Sequence, residues 1–287
     1  MSSSTVYYSV GHRLGSWLLR LCSWLVLLFL ILPILVIVPL SFNSEPFFSF
    51  TEGMLTLQPE AYSLRWYREV FTDSAWLLSI KNSFIIGIFS TLIATVLGTC
   101  AAVGLARAEM PARRLITALL LSPMIVPLII TAAGMFFFYS DLGLSGNYLG
   151  IILAHAVLGT PFVIITVTAT LAGFDYSLVR AALNLGARPL RAFFDVILPL
   201  IRPGVISGAL FAFITSFDEV VVILFMAGPE QRTIPRQMFS GLREQINPSI
   251  LAVATLLIVM SIALLVTMEL LRRRSERLRG AETQEQT

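Results

Sequence analysis

Asn82-Ser83-Phe84-Ile85-Ile86-Gly87-Ile88-Phe89-Ser90-Thr91-Leu92-Ile93-Ala94-Thr95-Val96-Leu97-Gly98-Thr99-Cys100-Ala101-Ala102-Val103-Gly104-Leu105-Ala106 carries no charge and is bracketed by Lys81 and Arg107. A helix rises about 1.5 Å per residue, so about 20 apolar residues cross a hydrocarbon core about 30 Å thick. The run is too long and too evenly apolar for a barrel strand, which would alternate with period two. Similar uncharged stretches lie between Arg20 and Glu45, Arg114 and Asp141, Asp141 and Asp175, and Glu244 and Glu269. A sixth, Pro203 to Met226, is apolar except for Asp218 and Glu219. These stretches predict an all-α integral membrane protein with six transmembrane helices, over roughly 21–42, 84–106, 115–138, 148–171, 203–226 and 248–271.

Composition agrees. Charged residues are 13% of the 287, hydrophobic residues 56%, and mean hydropathy is +0.84; a soluble domain has about a quarter of its residues charged. Cys22 and Cys100 fall inside predicted spans without metal-ligand spacing and read as small apolar fillers. The first stretch is too long for a signal h-region, carries Pro33 and Pro39, and ends without a small-x-small site, so it reads as an uncleaved span. With six spans both termini share a side, and 14 of the 20 Lys and Arg residues fall on that side. Positive residues stay inside, so both termini are expected in the cytoplasm. The expected organisation is a cytoplasmic segment 1–20, a six-span domain 21–271 and a cytoplasmic tail 272–287 that frays. The long outer loop after the first span holds Tyr62-Ser63-Leu64-Arg65-Trp66-Tyr67, expected as an interfacial aromatic belt followed by a short helix to Trp76.

Between spans four and five, in a loop placed at 175–202, lies a short amphipathic helix. Leu178, Ala181, Ala182 and Leu185 recur at helical spacing, Asp175 is a candidate N-cap, and Gly186 is a natural stop. It is too short and too charged to cross a bilayer. It reads either as an interfacial helix on the headgroups or as a surface that lets another protein's backbone approach.

Arg180-Ala181-Ala182-Leu183-Asn184-Leu185-Gly186, nine residues, then Val196-Ile197-Leu198-Pro199 resembles the cytoplasmic EAA loop of binding-protein-dependent ABC importer permeases. Every spacing of that motif is met. Arg180 stands where the family usually has Glu, reversing a charge, and Val196 where it usually has Ile. Asn82-Ser83, Leu105-Ala106-Arg107, Ser216-Phe217-Asp218-Glu219 and Thr233-Ile234-Pro235 resemble permeases of polyamine-type importers. The resemblance implies a bacterial inner-membrane permease with a coupling helix between spans four and five, engaged through Arg180, Ala181, Ala182, Leu185, Gly186, Leu198 and Pro199. It further implies separate ABC ATPase subunits that hold ATP and Mg2+, a second permease subunit in a heterodimer, and a periplasmic solute-binding protein. The implied solute is a small cation such as putrescine or spermidine, with an amino-acid-like amine (4-aminobutyrate or an opine) as the alternative. No nucleic-acid partner is expected.

No G-x-x-x-x-G-K-[ST] run is present, so the chain lacks a P-loop, and its two histidines offer no enzyme site. His155, inside the fourth span, is expected to make a helix–helix hydrogen bond rather than relay protons. Asp218 and Glu219 are costly inside a membrane and should face protein or water. They lie about 12 Å below the outer end of the fifth span at 1.5 Å per residue. Thr215, Asp218 and Val222 share a helical face with Gly208 and Phe211. Phe211, Thr215, Asp218 and Glu219 are therefore candidates for a solute path, with cation–π attraction from Phe211; the competing reading is a structural or gating pair. From another class, an autonomous secondary carrier would use the acidic pair as an ion site.

Overall fold

The computed structural model describes residues 10–106, 110–244 and 247–284. In chain order the helices are α1 (Val10–Leu40), α2 (Glu52–Leu55), α3 (Arg65–Thr72), α4 (Ser74–Leu105), α5 (Arg113–Ile125), α6 (Leu128–Asp141), α7 (Tyr148–Leu171), α8 (Ser177–Asn184), α9 (Pro189–Ala192), α10 (Leu198–Asp218), α11 (Val221–Met226), α12 (Ile234–Glu244) and α13 (Ser249–Gln284). Among the described residues, five apolar helices are long enough to cross a membrane: Gly15–Leu40, Ser74–Leu105, Tyr148–Leu171, Pro189–Asp218 and Ser249–Thr267. The pair α5 and α6, bent by 105°, makes a sixth if its two arms are one span. Arg107 lies outside the described residues.

The fourth span matches its expected limits, while others differ at their ends. The second spanning helix, α4, starts at Ser74 because the Asp73 carboxylate accepts from the N–H groups of Ala75 and Trp76, at 2.9 and 3.0 Å. Trp76 therefore belongs to this helix and not to the short one before it. The helix of the expected fifth span begins at Pro189, well ahead of Pro203, and α13 continues to Gln284 instead of fraying after 271. The reason is common to both: charges mark where a helix leaves the membrane, not where it stops. Arg, Glu, Leu and Ala beyond that point are good helix formers.

The third span is not continuous. Val126 precedes a proline and is pushed out of the helical region, with ψ 135°, and Pro127 is also extended, with ψ 129°. The Pro127 carbonyl then accepts from Ile130 N and Thr131 N and restarts the helix as α6. Pro123 and Pro161, by contrast, sit inside α5 and α7 without ending them.

The chain groups into two compact units, one of residues up to Val70 with Asn247–Ser261, the other of Phe71–Ile246 with residues from Ile262. In the first, α1 exposes its apolar side chains along its length, from Trp17 to Leu35. The loop after α1 wraps around buried Asn43. Its side-chain amide donates to the Phe47 and Ser49 carbonyls at 3.2 and 3.1 Å, and its own carbonyl accepts from Trp66 Nε1 at 2.7 Å. Tyr67 and Ser41 hydroxyls share a 2.6 Å hydrogen bond. Trp66 is buried, so this aromatic cluster staples the loop rather than forming only a belt.

In the second unit α4, α7 and α10 pack through small residues. Gly204, Gly208, Ala212 and Ser216 form a buried stripe on α10 at four-residue spacing. A Cβ at Gly208 would stand 2.8 Å from Val163 Cα, and one at Gly159 3.0 Å from Ala212 Cβ. On α4 a Cβ at Gly98 would meet Val163 Cβ at 2.7 Å. Lipid is as apolar as leucine, so close van der Waals contact rather than burial from water drives such packing. A second core joins α6, α7 and α11 around Ala132, Ile151, Val222, Ile223 and Met226.

Candidate functional site

The first candidate surface is α8. Its N-cap position is Tyr176, not the expected Asp175, which stands one residue earlier and bonds the first helical residue: one carboxylate oxygen accepts from Ser177 N at 2.8 Å and the other from Ser177 Oγ at 2.6 Å. These bonds hold the Asp175 carboxyl below the usual carboxylate range. At the other end Gly186 has φ +89°, a conformation that side chains disfavour, and the Ala187 N–H closes back onto the Ala182 carbonyl at 3.0 Å. Of the apolar face, Leu178, Ala181 and Leu185 are exposed and Ala182 is half-buried. Leu185 is 89% exposed, the largest exposure among the large hydrophobic side chains of the described residues.

Arg180 is exposed on the same helix. After it, Pro189 opens α9, and Phe193–Ile197 forms one π turn before α10. Leu198 is partly buried there and Pro199 is exposed. The motif's second half is thus helical and continuous with the fifth span. Arg191 and Asp195 pair at 3.1 Å on its surface, an exposed contact of small energetic worth.

The second candidate is the acidic pair, whose two members have different environments. Asp218 ends α10 and is exposed, whereas Glu219 is extended, with ψ 122°, and buried. Glu219 Oε1 accepts from Val222 N at 2.9 Å. It lies at a break in the span, one residue before the N-cap position Val220, and its side chain bonds the first turn of α11. Phe211 is exposed and stacks with Phe162 at 6.4 Å between centroids, and Thr215 is half-buried. The expected face is therefore divided: Phe211, Thr215 and Asp218 look outward, while Gly208 packs on α7 and Val222 is buried beyond the break.

Two polar knots join the helices, of which the sequence reading expected only that His155 would hydrogen-bond another helix. Ser90 Oγ donates to Ser216 Oγ at 2.9 Å, and His155 Nδ1 lies 2.8 Å from Ser216 Oγ, so one hydroxyl joins α4, α7 and α10. His155 Nε2 has no protein partner. Farther along α4, Asn82 Nδ2 donates to the carbonyls of Glu230 and Arg232 at 2.7 and 2.8 Å. Ser83 Oγ accepts from Ile234 N at 2.9 Å. The available signal was polarity: an Asn or Ser buried in an apolar helix needs partners. Those partners sit about 150 residues away in sequence, and nothing local names them.

Fold and surface together define a multi-pass, all-helical membrane protein. The chain belongs to the family of binding-protein-dependent transport system inner membrane components, which matches residues 8–277, and is the membrane permease component of an ABC-type importer. It is 30% identical over 252 residues to the spermidine/putrescine transport system permease protein PotC of Haemophilus influenzae, covering 88% of this chain and 95% of that one. It is 34% identical over 237 residues to the putrescine transport system permease protein PotI of Escherichia coli, covering 80% and 82%. Its fold is shared with a chain of a bacterial ABC transporter involved in the import of the acidic polysaccharide alginate, with TM-score 0.70, 18% identity, and coverage of 92% and 99%.

Proposed function

We propose that this permease moves a small cationic polyamine, putrescine or spermidine, inward across the bacterial cytoplasmic membrane. The names of the relatives support the solute class. The observation that carries the reading is Asp218, an exposed carboxylate where α10 ends, on one helical face with exposed Phe211 and half-buried Thr215. Seven residues separate Phe211 from Asp218, so the ring and the carboxylate stand about 10 Å apart on that face. An ammonium group can pair with the carboxylate while the aromatic faces attract the rest of the cation.

ATP is hydrolysed, with Mg2+, by separate ATPase subunits. They dock on α8 and the following turn through Arg180, Ala181, Ala182, Leu185, Gly186, Leu198 and Pro199. Leu185, almost wholly exposed, supports this, because a leucine held out on a capped helix gains by burial against a partner. A second permease subunit covers the exposed apolar faces, and a periplasmic solute-binding protein delivers the solute. Both termini are cytoplasmic. The test is uptake of radiolabelled putrescine by the assembled complex in proteoliposomes: uptake that requires internal ATP and binding protein is expected. Uptake of 4-aminobutyrate but not putrescine would replace the solute class.

A further inference from the structure

The short helix α11 is held at both ends by charged side chains. At its start the chain leaves the helical region at Glu219, and the Glu219 carboxylate, buried, accepts from Val222 N at 2.9 Å. At its end Arg236 donates from one guanidinium nitrogen to the carbonyls of Ala227 and Gly228, at 2.8 and 3.0 Å. Between them Val222, Ile223 and Met226 are buried against α6 and α7.

The arrangement separates the two acidic neighbours by task. A carboxylate that is buried and bonded to its own backbone three residues on is spent on that bond, whereas Asp218, one residue earlier, is exposed. We infer that Glu219 is a positioning residue for transport: with Arg236 it clamps α11 and fixes the break that turns Asp218 outward, and it does not itself touch the solute. This inference rests on the reading of Asp218 as the solute-facing carboxylate. A glutamine retains an amide oxygen at the position of Oε1 and can still accept from Val222 N, so shape rather than charge is what that bond requires.

The test compares Glu219→Gln, Glu219→Ala and Arg236→Ala in the assembled complex, with putrescine uptake and thiol labelling as readouts. Labelling uses Asp218→Cys with Cys22 and Cys100 replaced by serine, and a membrane-impermeant thiol reagent, so that readout needs no solute. Glu219→Gln is expected to keep KM and nearly all of Vmax. Glu219→Ala and Arg236→Ala lose Vmax about five- to tenfold at unchanged KM, in line with loss of a side-chain bond to a helix end. The labelling rate at position 218 is expected to hold with Gln and shift with Ala. Glu219→Gln raising KM as strongly as Glu219→Ala would overturn the inference, since charge on the solute would then be what matters. So would Glu219→Ala behaving as wild type in both readouts. If alanine prevents assembly, Glu219→Gln alone decides by its KM. A wild-type complex without putrescine uptake would refute the polyamine reading, while the labelling would still decide the role of Glu219.

Discussion

Tyr148 donates its phenolic hydroxyl to Asn82 Oδ1 across 2.8 Å, while the amide nitrogen of the same Asn82 donates to two backbone carbonyls of the 229–233 turn. One buried side chain therefore ties the start of α7 and the approach to α12 onto α4. Replacing Asn82 by alanine strands these groups, at about 1–3 kcal/mol for each left unpaired. The apparent Tm of the purified complex is expected to fall by several degrees. Asn82→Asp is expected to be worse than alanine, because it turns both donors into acceptors facing carbonyls.

Packing through small residues predicts a sharp contrast between two glycines. Gly208 has Val163 Cα at 2.8 Å from where a Cβ would stand, whereas Gly104 has nothing within 4 Å. Gly208→Val should force α10 from α7 at about 1–3 kcal/mol or more and lower the yield of assembled complex. Gly104→Ala should leave yield and Tm unchanged in the same size-exclusion and thermal-shift measurements.

The stop of α8 gives a graded prediction. Gly186 has φ +89°, so alanine there costs about 1–2 kcal/mol of local strain without adding bulk. Arginine adds the same strain and a bulky charge on an exposed surface. Co-purification of the ATPase with the tagged permease is expected to weaken with Gly186→Ala and to disappear with Gly186→Arg, with permease levels in the membrane unchanged.

Asp218 predicts a charge effect without an assembly effect, because it is exposed where Glu219 is buried. Asp218→Asn should raise the KM for putrescine about tenfold, the equivalent of about 1.4 kcal/mol of lost attraction. It should leave Tm and subunit composition as in the wild type. Kinetics of uptake in proteoliposomes measure the first, and gel filtration with thermal shift the second.

Much of the fold was legible because lipid imposes a length rule that a single chain must obey. The uncharged stretch between Asp141 and Asp175 predicted 148–171, and the helix is Tyr148–Leu171. Polar caps are the finer signal: Asn147 accepts from Gly150 N at 2.9 Å and closes the start of that helix to the residue. Reading charges as helix ends failed at Pro189 and after Leu271, where helices run on beyond the apolar stretch. The break at Glu219 was hidden for another reason. Ser216 to Val222 contains neither proline nor glycine, and the carboxylate that stabilises the break acts through a hydrogen bond whose effect appears only once Val222, Ile223 and Met226 are packed. At Val126-Pro127 the proline was visible in the sequence, but the size of the bend was not.

The most direct test of the central claim is labelled putrescine flux into proteoliposomes holding this chain, first alone and then with its ATPase, partner permease and binding protein. The account predicts no flux for the chain alone, ATP-dependent uptake for the complex, and loss of that uptake with Gly186→Arg. Flux through the chain alone, driven by an ion gradient and indifferent to ATP, would contradict it.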